Sequence, residues 1–267
     1  KTRLNGPLGR VEQNLQDISW EEAFRAIAER INEIAPEGNE VIALTDTHAS
    51  NEELFLLKKL LKDGFLSDNV FCPLPKWEQR KSEFFINTLI TTDNTPNRAG
   101  ALALGIKGDA ENEEVKSLID ENLKMVIVLG SPFEKEHDFQ QKIKKTQLVV
   151  HIGAYHNCWS DIADVVLPGQ YYSEKNGTFT NKMQLVQTTD IAVQALRSSR
   201  PEWQIIAELG QELGHKFCFS HVNQVFEAMS KETNAFSGLS LDQIGDKGMK
   251  LRKTFKDIGM KLVKAPS

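Results

Sequence analysis

Residues able to do chemistry crowd into one stretch of this chain: His151, His156, Cys158, Ser160 and Asp161. Histidine beside cysteine can hold zinc or activate a thiolate. The spacing here matches no zinc module, however. His151 lies inside the apolar run LVVHIG, and Cys158 adjoins Trp159. Packing is therefore the expected role of this group, and neither a metal site nor a catalytic residue is expected. A second polar group follows in EKNGTFTN, where Glu174, Asn176, Gly177, Thr178 and Asn181 form an acidic, glycine-containing elbow able to hydrogen-bond a polar cofactor. The competing reading of the elbow is a β-hairpin over a sheet edge, opened by a turn at Asn176-Gly177. The residues alone leave that choice open.

Two further groups are less specific. The segments TDTHASNEE, GSPFEKE and GAYHNCWSD follow apolar runs, where α/β folds bind ligands. The chain has neither G-x-G-x-x-G nor a P-loop signature, so helix capping is the expected task of these loops and a nucleotide module is disfavoured. At the other end, Lys250, Arg252, Lys253, Lys256, Lys261 and Lys264 are interleaved with Phe255, Ile258 and Leu262 at helical spacing. That pattern fits a solvated helix, or one that docks on an acidic partner.

These groups need a frame. Ser19 with Glu22, and Ser50 with Glu53, are capping boxes that open helices. The first helix carries Trp20, Ala23, Phe24, Ile27, Ile31 and Ile34 on one stripe and stops at Pro36 and Gly38. The second carries Leu54, Leu57, Leu60 and Leu61, with Gly64 as the expected C-cap. Residues 40–46, 69–72, 124–130, 146–153 and the run DVVLPG read as buried strands. Helices are expected in KSEFFINTLI, ENEEVKSLIDEN, EKEHDFQQKIKK, RPEWQIIAELGQELG and NQVFEAMSKE. Alternating apolar strands and helices imply an α/β, doubly wound, mainly parallel sheet with flanking helices, followed by a C-terminal β-hairpin and helices. Three regions are expected: an extended lead-in over 1–18, an α/β domain over 19–215, and a helical extension with a basic tail over 216–267.

The bulk numbers exclude several classes. The 267 residues are 40% hydrophobic and 26% charged, as in ordinary globular chains. A net charge of −5 leaves no nucleic-acid footprint. The apolar runs are too short to span a bilayer. Only Cys72, Cys158 and Cys218 are present, without a C-x-x-C, so neither a disulfide framework nor an iron–sulfur cluster is expected in this chain.

The segments RLNGPLGR, DISWEEAFRAIAERI, SNEELFLLKKLL and RPEWQIIAELGQELG, and above all HNCWSDIADVVLPGQYYSEKNGTFTNKMQLVQ, resemble the molybdopterin oxidoreductase superfamily. The most specific of them is the ADVVLP strand leading into an E-x-x-GTF-x-N elbow. Within the superfamily, LITTDNTPNRAGALALG and VFEAMSKETNAFSGLSLDQIGDKG look most like the molybdopterin-like domain in the large iron–sulfur subunit of NADH:quinone oxidoreductase, respiratory complex I. That resemblance implies a non-catalytic structural domain, with the elbow a vestigial pterin motif. It implies iron–sulfur clusters in a part preceding RLNGPLGR. Other subunits of the respiratory complex would be its partners, and its place would be cytoplasmic, peripheral to the inner membrane. The family's second nucleotide-binding half and its cofactor-covering domain have no counterpart here, so molybdopterin is not expected to bind. The alternative is a cofactor-binding fragment of a formate dehydrogenase-like molybdopterin enzyme, with Glu174, Thr178 and Asn181 touching the cofactor.

Overall fold

The computed structural model describes residues 2–73, 95–108, 115, 117–119, 122–133, 136–196 and 198–252. The lead-in is not simply extended. It folds into β1 (Leu8–Val11) and β2 (Asn14–Asp17), an antiparallel hairpin that adds to the sheet through Leu8 and Gly9 against Val166 and Val165. Helix α1 (Trp20–Ile34) begins at the expected capping box, with Ser19 Oγ accepting from Glu22 N and Glu22 accepting from Ser19 N. Strand β3 (Val41–Thr45), helix α2 (Asn51–Phe65) and strand β4 (Val70–Phe71) form the first βαβ unit. Ser50 and Glu53 cap α2 reciprocally, as their spacing predicts. Gly64 is not the C-cap, because α2 continues through it. Leu66 takes the left-handed conformation at φ 52° and closes the helix by bonding to Leu61 and Lys62 carbonyls.

Helix α3 (Arg98–Ala103) leads towards β5 (Met125–Leu129), and the chain continues through α4 (His137–Ile143), β6 (Leu148–Gly153), α5 (Cys158–Ile162) and β7 (Val165–Pro168). The expected helix in KSEFFINTLI lies outside the described residues. That in ENEEVKSLIDEN is described only in part, with Val115 and Leu118 buried. The sheet runs β2-β1-β7-β6-β5-β3-β4, and β7, β6, β5, β3 and β4 are mutually parallel. Successive strand residues point to opposite faces. After β7 come β8 (Gly177–Thr180), β9 (Leu185–Thr189), α6 (Glu202–Glu212), α7 (Val222–Glu232), α8 (Leu241–Ile244) and β10 (Met249–Lys250). Val41, Ala43, Ile127, Val150 and Leu167 therefore meet α1, α2, α6 and α7, while Ile42, Leu44, Val126, Val149 and Val166 meet α4, α5, Val115 and Leu118. Both faces are covered, so the α/β doubly wound fold holds.

The hairpin turn is not at Asn176-Gly177. Gly177 opens β8, and the turn spans 181–184, where Asn181 Oδ1 accepts from Met183 N and Leu185 N. Nor does the hairpin cover an edge of the large sheet. It makes a second, antiparallel sheet in the order β10-β9-β8. The extension is thus not wholly helical, since Lys250 sits in a strand paired with Leu185. The remaining tail, Lys253 onward, lies outside the described residues.

Candidate functional site

The parallel strands set the location of the site. Strands β3 and β5 are neighbours, yet β4 lies on the far side of β3, so the chain's winding reverses between β3 and β5. Loops leaving the carboxyl ends of two such strands diverge and leave a crevice. A cleft of about 910 Å³ opens there, walled by the ends of β3, β5 and β6 and by the segment after β7.

Asp46 stands at the reversal. Its Oδ1 accepts from His48 N at 2.8 Å and its Oδ2 from Ser131 N at 2.7 Å, so one carboxylate ties both loops together. Burial opposes its charge, but the hydrogen bonds from His48 and Ser131 and the charge of His48 outweigh it and hold its pKa below the usual carboxylate value. The close approach requires Gly130. It sits at φ 83°, and a Cβ there would lie 2.4 Å from Asp46 Oδ2. We expect Gly130→Ala to cost about 1–3 kcal/mol in chemical denaturation, from backbone strain and displacement of the carboxylate. An unchanged midpoint would refute this account of the loop.

The histidine cluster supports this end of the sheet from beneath. His151 is fully buried in β6, with Nε2 3.0 Å from Gly130 O and Nδ1 3.0 Å from Ser160 Oγ. A carbonyl can only accept, so Nε2 carries the proton and Nδ1 accepts from Ser160. Burial drives the His151 pKa down to about 4, which keeps this neutral tautomer. Asn157 caps α5 through Trp159 N and Ser160 N and donates to Ser131 Oγ at 2.7 Å. Trp159 Nε1 donates to Pro132 O. Cys158 is half-buried and accepts from Gln140 Nε2 at 3.2 Å, while His156 and Asp161 pair at 3.5 Å near the surface. His151, Asn157, Ser160 and Trp159 thus act as a bracket that holds the β5 loop. Among the described residues, no group of three or more acidic, histidine or cysteine side chains could hold a metal.

The floor of the cleft is ionic. Lys175 Nζ lies 2.6 Å from Glu53 Oε1 and 2.6 Å from Glu202 Oε2, and all three side chains are buried. Burial works against the ammonium, yet Glu202 and Glu53 more than compensate and raise the Lys175 pKa above its ordinary value. One ammonium serving two carboxylates leaves an excess negative charge. Burial, with Glu53 adding to it, overrides the pull of Lys175 and pushes Glu202 up to about 8. At the mouth stand Tyr155, Tyr171 and Tyr172, with ring centroids 5.6 Å apart for the first pair and 4.4 Å for the second. Arg3 lies over Tyr155 at 5.1 Å, which brings the lead-in to the rim.

The five elbow residues lie beside this cleft rather than in its wall. Glu174 Oε2 accepts from Arg3 Nη2 and from Tyr171 N, both at 2.7 Å. Asn176 Oδ1 accepts from Ile191 N. Gly177 packs so closely that a Cβ would lie 3.0 Å from Ser50 Cβ. Thr178 donates through N and Oγ1 to the two oxygens of Glu52, at 2.9 and 2.8 Å, and accepts from Asn51 Nδ2. Thr180 N donates to Asn97 Oδ1 at 2.7 Å. Glu52 and Asn97 thereby satisfy the outward N–H groups of an edge strand. Asn181 organises the turn. It is Lys175, an elbow residue that its sequence context does not single out, that reaches the cleft. Asp46, Glu202 and the three tyrosines also escape sequence reasoning. An acid directly after a fully apolar strand is the available signal for Asp46.

With this geometry in view, comparisons with known proteins place the chain. The molybdopterin oxidoreductase family profile matches residues 3–76 and 69–212, and the chain belongs to that family. It is 27% identical over 135 residues to the F420-dependent formate dehydrogenase 1 subunit alpha of Methanococcus maripaludis, covering 48% of this chain and 20% of that protein. A putative formate dehydrogenase of Staphylococcus aureus is 33% identical over 82 residues, covering 31% of this chain and 8% of that protein. Acetylene hydratase from Pelobacter acetylenicus aligns with a TM-score of 0.38 at 17% identity, over 48% of this chain and 19% of that one. The chain thus spans about a fifth or less of the length of these curated relatives. They are formate dehydrogenases, so the likeness to the large iron–sulfur subunit of complex I finds no support among them. Among the described residues, no helix is long and apolar enough to cross a membrane.

Proposed function

We propose that this chain is the α/β lobe of a formate dehydrogenase-like molybdopterin oxidoreductase, and that the cleft at the winding reversal meets the pterin cofactor. The family match through residue 212, which includes every element bordering the cleft, carries this reading. The residues present fit one part of such a group. Asp46 Oδ2 accepts from Ser131 N and keeps a second lone pair for an N–H-rich edge such as an aminopyrimidinone, while Oδ1 is taken up by the backbone and ring of His48. The tyrosines offer flat apolar surface at the mouth. The phosphates fit poorly, because Asp46, Glu53, Glu136 and Glu202 face the cleft against Lys175, which is already bound to two of them, and His48 at the rim. In this reading, cationic groups for the phosphates come from elsewhere in the enzyme. When bound, the cofactor supplies the redox-active metal; the described residues here recognise and orient its organic part.

The experiment is molybdenum, tungsten and oxidised-pterin analysis of the enzyme containing this chain, matured with its other parts in a host that makes the cofactor. Metal with pterin in the wild type, and at least severalfold less in Asp46→Ala, is the expected outcome. Their absence from the wild type overturns the reading. It would leave the second one, a cofactor-free scaffold beside cluster-bearing subunits of an NADH:quinone oxidoreductase-like complex. One observation favours that alternative: each polar side chain of the elbow named above is bonded within the chain.

A further inference from the structure

A second concavity, a groove of about 430 Å³, lies on the outer side of α2, away from the cleft. Its walls are the last two turns of α2, the loop after α3, and the end of α7 with residues 233–235. Three lysines of α2 line it: Lys58, Lys59 and Lys62. Lys59 is neutralised by Asp63 and by Glu232 of α7, each at 3.0 Å. Among the described residues, no carboxylate lies within ion-pair distance of Lys58 or Lys62. These two stand one turn apart on the same helix face, an arrangement that repels.

Lys58 is held in place. Its Nζ donates to Leu104 O at 2.8 Å, and Gly105 turns at φ 71° directly over it, so close that a Cβ would sit 3.1 Å from Nζ. The ammonium is half-buried and donates to Leu104 O at 2.8 Å and more weakly to Gly105 O at 3.5 Å, which leaves one of its three protons to place. Burial lowers its pKa below the usual lysine value, Lys62 lowers it further, and Asp68 opposes both. Shielding the carbonyls of the Leu104 loop accounts for Lys58 but not for Lys62 one turn on, which among the described residues has no ion-pair partner. Thr233 and Asn234 add neutral hydrogen-bonding groups on the opposite wall, and half-buried Leu102 gives the groove apolar surface over the buried Phe55 and Ala235.

We propose that this groove binds a phosphomonoester dianion, with Lys58 and Lys62 bridged by its oxygens and the ester group lying against Leu102. A dianion with several oxygens can meet both ammonium groups at once, which a single carboxylate does less well. The site is independent of the cleft and of the cofactor reading.

The test is titration calorimetry of the full chain with phenyl phosphate and with inorganic phosphate, against sodium chloride at matched ionic strength. Phenyl phosphate should bind, and inorganic phosphate should bind more weakly because it leaves the apolar wall unfilled. Lys62→Gln, an exposed substitution that leaves the Lys58 anchor in place, should weaken phenyl phosphate roughly tenfold. Lys58→Gln combined with Lys62→Gln should abolish binding. Unchanged affinity in Lys62→Gln, or heats reproduced by chloride alone, overturns the proposal. Equal affinity for the two phosphates overturns the assignment to an ester.

Discussion

Lys175→Met is expected to lower stability by about 3–5 kcal/mol, the typical loss when a buried ion pair is broken from one side. The reason lies in what remains. Glu53 would be left buried without its counter-charge, beside Glu202, whose raised pKa of about 8 already favours the neutral acid at neutral pH. Glu53 also caps α2, and Glu202 sits in the first turn of α6, so the lost ion pair loosens two helices that pack together. Urea denaturation at neutral pH measures the loss. The same variant should regain stability as pH falls and the carboxylates protonate. Lys175→Met combined with Glu53→Gln should recover part of the loss, because the stranded charge is removed while the amide oxygen can still accept from Ser50 N. A single variant as stable as the wild type would mean that water reaches the triad and screens it, and the ionic floor of the cleft would have to be redrawn.

The second large effect concerns Glu52, which is fully buried under the elbow. Burial drives its pKa from 4.5 to about 7, with Glu53 adding to the shift against the hydrogen bonds of Thr178. A carboxyl whose pKa is raised in the fold is favoured there as the neutral acid. Its contribution is complete below pH 4.5 and is lost as pH rises to about 7, above which the penalty is constant. Glu52→Gln cannot ionise, and its amide can still accept from Thr178 N and bond to Thr178 Oγ1. The variant should match the wild type in acid and exceed it by up to about 3 kcal/mol once the wild-type carboxyl is ionised. Glu52→Ala should behave oppositely. It strands the Thr178 N–H and hydroxyl in a buried site and opens a cavity, for a loss of about 2–4 kcal/mol. Parallel stability–pH profiles for wild type and Glu52→Gln would show that Glu52 has the same pKa folded and unfolded, which would overturn the burial-driven shift.

The two predictions act at different places because the elbow and the cleft are separate. Glu52 and Asn97 clamp the edge of β8, and the neighbouring Lys175 reaches into the cleft floor. Glu52→Ala should therefore loosen the hairpin with little change at Asp46. A variant at Lys175 should disturb the cleft directly.

Much of the frame follows from local sequence. The two capping boxes, the apolar strands and the alternation of strand and helix are short-range properties, and these elements form where the residues call for them. The family is legible in the same way, through the run from ADVVLP to GTFTN. Other features depend on contacts remote in the chain. The lead-in carries no strong strand pattern, and it becomes a hairpin because the edge of β7 is available to pair with it. Gly64 looks like a helix stop, but α2 passes through it because Phe65 is buried beyond it. Asn176-Gly177 reads as a turn, yet the close approach of Ser50 draws Gly177 into a strand. The site shows the same division most clearly. Glu53 is legible as a cap, Lys175 as part of a polar elbow and Glu202 as a helix start, while their union requires three segments to converge beneath the sheet's winding reversal. Charge pairing between residues 122 and 27 positions apart leaves no periodic trace in a sequence, so the tertiary structure alone decided where the cleft and its charges lie.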